Sequence, residues 1–294
     1  MKKHVSLSII TLTKNRANLL DKCLASLKGQ LIGTDEIVII DNYSNDNTQF
    51  TIHKYKKILP TRVYKSGLSG FPNLYNFAIS KSTNPLLVFL DDDCMVAPGF
   101  MARIRYKFRE KQNFVLQGNT LSLPRDNIFS EISERHLANW FAANMITPNR
   151  LRIIDNRNVV IPATLLQRYG MFSLSCASGS EDVELGLRYQ RLGIPIVFDP
   201  VLVSYHHERT TLGSFLRQHS RIARSHALLD SVLSADEQLH CINLRTAKRH
   251  LLTSIVLFRS YIKRGRFIDA TRLPLVYLLL FFTRIFSYTQ KRRL

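Results

Sequence analysis

The chain has 294 residues, of which 45% are hydrophobic, 10% aromatic and 21% charged. That apolar content excludes a disordered chain, 12 Gly and 10 Pro exclude a collagen-like or low-complexity one, and the length fits one large domain or one domain with an appendage. Lys and Arg number 41 against 22 acids, a formal charge of +19 that calls for a polyanionic partner or surface. Cys23, Cys94, Cys176 and Cys241 show no CxxC pair and no metal-type spacing, so they read as reduced, mostly buried thiols of a cytosolic protein.

The start, Met1-Lys2-Lys3, is basic, but Val5, Leu7 and Ile9 alternate with serines and run into Lys14-Asn15-Arg16. A signal peptide needs an unbroken apolar stretch, so this reads as a first strand. Strands are predicted at 5–11, 36–40, 62–64, 86–90 and 115–118, with helices between them at 16–27, 47–58, 72–80 and 98–108. Such alternation, with continuous apolar runs such as Ile37-Val38-Ile39-Ile40, predicts a mostly parallel α/β sheet with helices on both faces. Ligands of such sheets bind beyond the carboxyl ends of the strands, where Thr11–Arg16, Asp41–Asp46 and Asp91-Asp92-Asp93 fall.

Farther on, a helix is predicted over 130–144, a strand over 159–163, a helix over 181–192 stopped by Gly193, and two short strands at 194–198 and 202–205. Long helical patterns then occupy 212–233, 244–263 and 267–288, giving a catalytic-type domain over 1–208 and a basic helical region over 209–294. From residue 200 onward sixteen Lys/Arg stand against five acids, so more than half of the net charge lies in the last third. The apolar run Leu273–Thr283 is about half the ~20 residues needed to span a bilayer. Two readings fit it: a helix packed in a core or in a homodimer, and an interfacial helix whose basic rim meets anionic lipid.

Three groups of residues could carry chemistry. Asp91-Asp92-Asp93 repel one another at a strand end; either they form a solvated acidic turn, or a hard cation, Mg²⁺ or Mn²⁺, compensates them and bridges to phosphate. Glu181-Asp182-Val183-Glu184 opens a helix, where acids complement the helix dipole, or else supply a general base. His206-His207, after a strand, is either structural or a source of a nitrogen ligand.

Order and spacing join these groups. The segment from Leu7 through Thr13-Lys14-Asn15-Arg16 to Gln30 resembles the opening of family 2 glycosyltransferases, which have the nucleotide-sugar-binding GT-A fold. Glu36-Ile-Val-Ile-Ile-Asp-Asn-Tyr-Ser-Asn-Asp46 resembles their second signature, and Asn76 stands fifteen residues before Asp91, where they usually have Asn. Asp91-Asp92-Asp93 matches their DxD motif, Gly179–Arg188 their ED-motif helix, and His206 follows Asp182 by twenty-four residues, as in members with a histidine metal ligand. The resemblance covers roughly residues 4–230 and implies a metal-dependent inverting transfer from a nucleoside diphosphate sugar, expected to be a uridine diphosphate sugar, to a hydroxyl acceptor. It assigns Asp91, Asp93 and His206 to a Mn²⁺ or Mg²⁺ ion, Thr13, Arg16, Asp41, Asn42 and Asp92 to the nucleotide, and Asp182 to the base that deprotonates the acceptor.

The sequence departs from the family pattern at Lys14, where Tyr is usual, at Asn42, where Asp is common, at Tyr75, where many members have Arg, and at Met171-Phe172-Ser173-Leu174. Two other classes compete: a nucleotidyltransferase, which would not need Glu181-Asp182 at this distance from His206, and a nucleic-acid-binding protein. The latter is argued against by basic residues that lack an interleaved aromatic platform. The basic tail implies a cytoplasmic enzyme peripherally held at the inner face of the membrane, acting on a lipid-linked or growing polysaccharide acceptor.

Overall fold

The computed structural model describes residues 5–110, 113–123, 127–176, 179–231, 233 and 244–292, and Cys241 lies outside them. The other three cysteines are free and buried. The chain divides into two compact units, Met1–Leu123, Ala143–Ala177 and Glu181–His207 forming the first, and Pro124–Ala142, Ser178–Ser180 and Glu208–Leu294 the second.

The first unit opens with β1 (Leu7–Thr13), α1 (Ala17–Leu27), β2 (Glu36–Asp41), α2 (Thr48–Lys56), β3 (Thr61–Lys65), α3 (Phe71–Lys81) and β4 (Leu86–Phe89). All of β2 and β4 is buried, which is why they read as unbroken apolar runs, whereas α1 buries only the stripe Ala17, Leu20, Cys23, Leu24 and Leu27. Gly70, at φ +82°, and Pro72 in the first turn start α3 where they do. Then follow β5 (Cys94–Val96), α4 (Phe100–Lys107) and β6 (Val115–Ser122), and, after α5 (Ile128–Asn144), which lies mostly in the second unit, β7 (Met145–Thr147), β8 (Arg150–Leu151), β9 (Val159–Pro162), α6 (Ala163–Tyr169), α7 (Glu181–Arg191) and β10 (Ile196–His206).

The strands form a sheet in the order β3-β2-β1-β4-β9-β6-β10-β8-β7, with β5 also on β10. Strands β1, β2, β3 and β4 run parallel, as do β6 and β10. The antiparallel members are β9, which sits between β4 and β6, and β5 and β8 beside β10. The two strands expected over 194–205 are one strand, because a bulge absorbs the break: the register against β6 shifts between Asp199 and Val203. Pro200, which has no N–H to give a ladder, lies in that bulge. Asp199 secures it by accepting from Val201 N at 3.2 Å and from Arg103 Nε at 2.7 Å. Side chains from β1, β2, β4, α1 and α4, such as Ile9, Ile37, Val88, Leu24 and Ile104, meet in one fully buried cluster.

The second unit is helical: α8 (Leu212–Asp230), α9 (Leu244–Lys263) and α10 (Phe267–Arg292), joined by most of α5. Ile128 and Ile132 of α5 pack with Phe215, Leu257, Tyr261, Leu273 and Leu280. Glu131 accepts from Arg264 Nη2 at 2.8 Å and also pairs with Arg266. These contacts draw α5 out of the expected 1–208 unit and into the helical one. One side of α10 faces α8 through Ser220–Ser287 and Tyr288–Asp230 hydrogen bonds of 2.8 and 2.9 Å, while Leu275, Leu278, Phe282 and Phe286 on the other side are exposed.

Candidate active site

The chain leaves β1 toward β2 on one side and returns at β4 on the other, so the carboxyl ends of β1 and β4 bound a crevice of the kind that receives ligands in such sheets. Backbone pairing continues past β4, with Leu90 N donating to Ile10 O at 3.1 Å and Thr11 Oγ1 to Leu90 O at 3.0 Å. Asp91-Asp92-Asp93 therefore emerges beside the end of β1. Thr13 Oγ1 donates to Asp92 Oδ2 at 2.8 Å, and Arg16 spans two carboxylates, Nη1 to Asp92 Oδ1 and Nη2 to Asp93 Oδ2 at 2.6 Å. Burial pushes the Asp92 carboxyl up to about 7, with Asp93 and Asp91 adding to the rise, although Arg16 and Thr13 pull the other way. The guanidinium of Arg16 loses from burial, yet the three acids hold its pKa above the usual arginine range.

After the acids, β5 turns back along the end of β10, with Cys94 opposite His206. That pairing brings His206 Nε2 to 3.3 Å from Asp93 Oδ1 and lets His207 N donate to Asp93 O at 2.9 Å. Asp91 instead accepts from the Tyr75 hydroxyl at 3.1 Å. The Asp91 carboxyl is raised by burial first, then by Asp93 and Asp155, against His206 and Arg157. The Tyr75 ring lies 5.1 Å from that of Phe172, which in turn meets Phe89 at 5.4 Å. Asn76 and the Phe172 backbone exchange hydrogen bonds of 2.9 and 3.1 Å. The residues at which the sequence departs from the family pattern thus include two, Tyr75 and Phe172, that form an aromatic floor beneath Asp91.

Asp182 stands in the first turn of α7, where its carboxylate accepts from Val183 N at 2.8 Å and faces Asn156 N at 3.4 Å. Burial and then the charge of Asp155 push it up to about 7, against those two backbone N–H groups and Arg157. Asp155 and Arg157, joined by a salt bridge of 2.6 Å, therefore act electrostatically on both Asp91 and Asp182, Asp155 raising and Arg157 lowering each. Sequence reading missed this pair because residues 150–158 carry no periodicity; the available signal was an acid and a base two apart directly before an apolar strand. The loop is fixed from below, since Gln117 Oε1 accepts from Asp155 N at 2.8 Å and its Nε2 donates to Asn158 O at 2.8 Å. Gly186 of α7 lets the helix approach the loop backbone so closely that a Cβ there would meet Ile153 Cα at 2.6 Å.

Asp41 and Asn42 end β2 beside β1. Asp41 is fully buried and accepts from Ser44 N at 3.0 Å and from Gln49, and Asn42 N donates to Thr13 O at 2.9 Å. They shape the loop wall next to Thr13 rather than joining the acid cluster. Among the described residues no three His, Cys, Asp or Glu side chains are gathered as a ready cation cage. Two carboxylates and an imidazole are nonetheless the donor types a Mn²⁺ or Mg²⁺ ion accepts.

The Glycosyl transferase family 2 model matches residues 8–169, more than half of the chain. Among curated proteins, the GalNAc(5)-diNAcBac-PP-undecaprenol beta-1,3-glucosyltransferase of Campylobacter jejuni is 28% identical over 137 residues, 45% of this chain and 43% of that one. The validoxylamine A glucosyltransferase of Streptomyces hygroscopicus is 26% identical over 259 residues, 76% of this chain and 61% of that one. The chain thus spans less than two thirds of the length of either. Among solved structures, the Pyrobaculum calidifontis mannosyltransferase PcManGT with GDP-Man and Mn²⁺ superposes with a TM-score of 0.62 at 15% identity, covering 99% of this chain and 88% of that one. That likeness shows the fold: a mixed, mostly parallel GT-A-like sheet with C-terminal helices.

Proposed function

The chain belongs to glycosyl transferase family 2, and on that premise we propose that it moves a sugar, with inversion, from a nucleoside diphosphate donor to the hydroxyl of a lipid-linked or growing polysaccharide acceptor. The observation that carries this reading is the placing of Asp91-Asp92-Asp93 at the end of β4 against Thr13, Arg16 and His206, with Asp182 held at Asn156 N in the loop that bears the Asp155–Arg157 ion pair. Asp182, with its carboxyl raised to about 7, is matched to taking a proton from a hydroxyl near neutral pH. The acceptor oxygen then attacks the anomeric carbon, and the bond from that carbon to the donor diphosphate breaks. Thr13, Arg16 and Asp92, with the loop built by Asp41 and Asn42, bound the nucleotide pocket. Asp91, Asp93 and His206 would hold a Mn²⁺ or Mg²⁺ ion, which when bound would supply positive charge to the leaving diphosphate.

Two of the similar proteins support the details. The Campylobacter relative is named for a PP-undecaprenol-linked acceptor, and the Pyrobaculum structure contains a nucleotide sugar with Mn²⁺. A glycan acceptor carried on lipid agrees with an enzyme held peripherally at the inner face of the cell membrane. Incubation with Mn²⁺ and a panel of nucleotide sugars, led by uridine diphosphate sugars, should release nucleoside diphosphate from at least one. The absence of both turnover of any donor and binding of any nucleoside diphosphate would overturn the assignment. In the same assay Asp93→Ala should weaken Mn²⁺-dependent nucleotide binding by at least about tenfold, or roughly 1.4 kcal/mol. Calorimetric titration with and without Mn²⁺ measures it; equal affinities for variant and wild type would remove Asp93 from the cation shell.

A further inference from the structure

The basic excess is more local than the whole C-terminal third suggests. Residues 200–243 hold four Lys/Arg and four acids, whereas 244–294 hold twelve Lys/Arg and a single acid, Asp269. That acid is engaged by Arg266 at 2.6 Å. The entire net charge of +11 therefore resides in the α9–α10 hairpin and the residues after it. Each helix also turns an apolar stripe outward: Leu251, Leu252 and Ile255 on α9, and Leu275, Phe282 and Phe286 on α10, are between 41% and 63% exposed. Their opposite stripes, with Leu257 and Tyr261 on α9 and Leu273 and Leu280 on α10, meet in the buried cluster of the helical unit. The outward stripes thus face away from the protein's own core. Lys248, Arg259 and Lys263 are exposed among the apolar residues of α9, and Arg272 among those of α10.

We infer that the outward faces of α9 and α10 seat in the headgroup region of an anionic bilayer, with the helices lying in the membrane plane. This specifies the membrane-surface part of the proposed function and is independent of its chemistry. Apolar stripes rimmed by lysine and arginine, with almost no acid, are what such an interface selects. A second copy of the chain is the weaker occupant, because pairing through this face would set +11 against +11.

A transmembrane course is open to α10 by length alone. Phe267–Gln290 has 24 residues and contains an 18-residue stretch with a mean hydropathy of 1.3, and it is long enough for the ~30 Å hydrocarbon layer at about 1.5 Å per residue. Its inner side, however, is bonded to α8 through Ser220–Ser287 and Asp230–Tyr288. Crossing would draw the exposed Arg217, Arg221 and Arg224 of α8 toward the hydrocarbon, which is strongly unfavourable.

The test is flotation of the full chain with vesicles of phosphatidylglycerol and phosphatidylcholine, compared with phosphatidylcholine alone. Wild type should float only with the anionic vesicles, and less as salt is raised. The double variants Phe282→Glu with Phe286→Glu, and Arg259→Glu with Lys263→Glu, should each lose binding by about tenfold or more, given roughly 1 kcal/mol per basic residue at the surface. All four positions are exposed, so circular dichroism and donor hydrolysis should be unchanged. Leu278→Trp should be quenched by lipids brominated near the headgroup more than by lipids brominated at mid-chain, read against the single native Trp140. Failure of the folded wild type to float, full binding by both double variants, or stronger mid-chain quenching would each overturn the inference. So would a dimer in sedimentation that the phenylalanine substitutions dissociate. A chain that floats but hydrolyses no donor would leave the inference standing and defeat the catalytic reading.

Discussion

Replacing Asp182 with asparagine should lower turnover by about 10²- to 10⁴-fold, the usual worth of a positioned proton acceptor, and leave nucleotide binding intact. Wild-type turnover should climb as pH rises through about 7, because only the ionised carboxylate can accept the proton. The same substitution should stabilise the protein in alkaline solution. An unfolded aspartate titrates near 3.9, whereas burial and Asp155 push the folded Asp182 carboxyl up to about 7. The folded state therefore binds this proton more tightly, and the associated stability is complete below about pH 4 and lost as pH rises through about 7. An asparagine side chain has no charge to bury, so the Tm of Asp182→Asn should draw ahead of wild type between pH 4 and pH 8. A constant Tm difference across that range would show that Asp182 carries no such cost.

Gly186→Ala should unfold the enzyme more easily and slow it, although residue 186 touches no substrate. Its new Cβ would lie 2.6 Å from Ile153 Cα, 2.7 Å from Ile154 N and 2.9 Å from Ile153 C. These are backbone atoms, which cannot swing aside, so the helix and the loop must separate, at a cost of about 1–3 kcal/mol or more. Separation also withdraws Asn156 N from Asp182, so kcat should fall while the affinity for nucleotide stays near wild type. Gly33→Ala is the control, since nothing lies within 4 Å of a Cβ there and its backbone is not left-handed. Thermal melts and steady-state kinetics of both variants check the pair. An unchanged Tm in Gly186→Ala would mean that the helix and loop are not interlocked as described.

How much of this was legible in the sequence follows from the range of the interactions. Strands β2 and β4 each hold an apolar run beside a helix, a local pattern, and the acids at their ends were found by that pattern alone. Asp182 and His206 needed the whole ordered series of motifs, because a single acid in a helix's first turn also answers to the helix dipole. Strand β9 was located but not its direction, since burial on both faces looks the same in parallel and antiparallel neighbours. The joining of 194–198 and 202–205 into one strand was hidden by Pro200, a breaker everywhere except at a bulge. Asp155 and Arg157 lay beyond reach because their partners, Asp91 and Asp182, are assembled from segments dozens of residues apart. The helix predicted over 130–144 reads locally as part of the catalytic unit, because its partners Arg264 and Arg266, which pair with Glu131, are more than a hundred residues away in the chain.

The place of β9 has a consequence for the order in which the protein is made. Strands β3, β2, β1 and β4 can pair as soon as residue 89 has left the ribosome, but the free edge of β4 is covered only by residues 159–162. Strand β6, translated some forty residues before β9, waits for the same segment and then for β10. The sheet is thus closed from its middle by a late strand. Throughout that interval the nascent chain presents the open apolar edge of β4, the kind of edge that recruits other chains. Slowing translation between residues 90 and 160 should therefore lower the soluble yield more than an equal delay after residue 206.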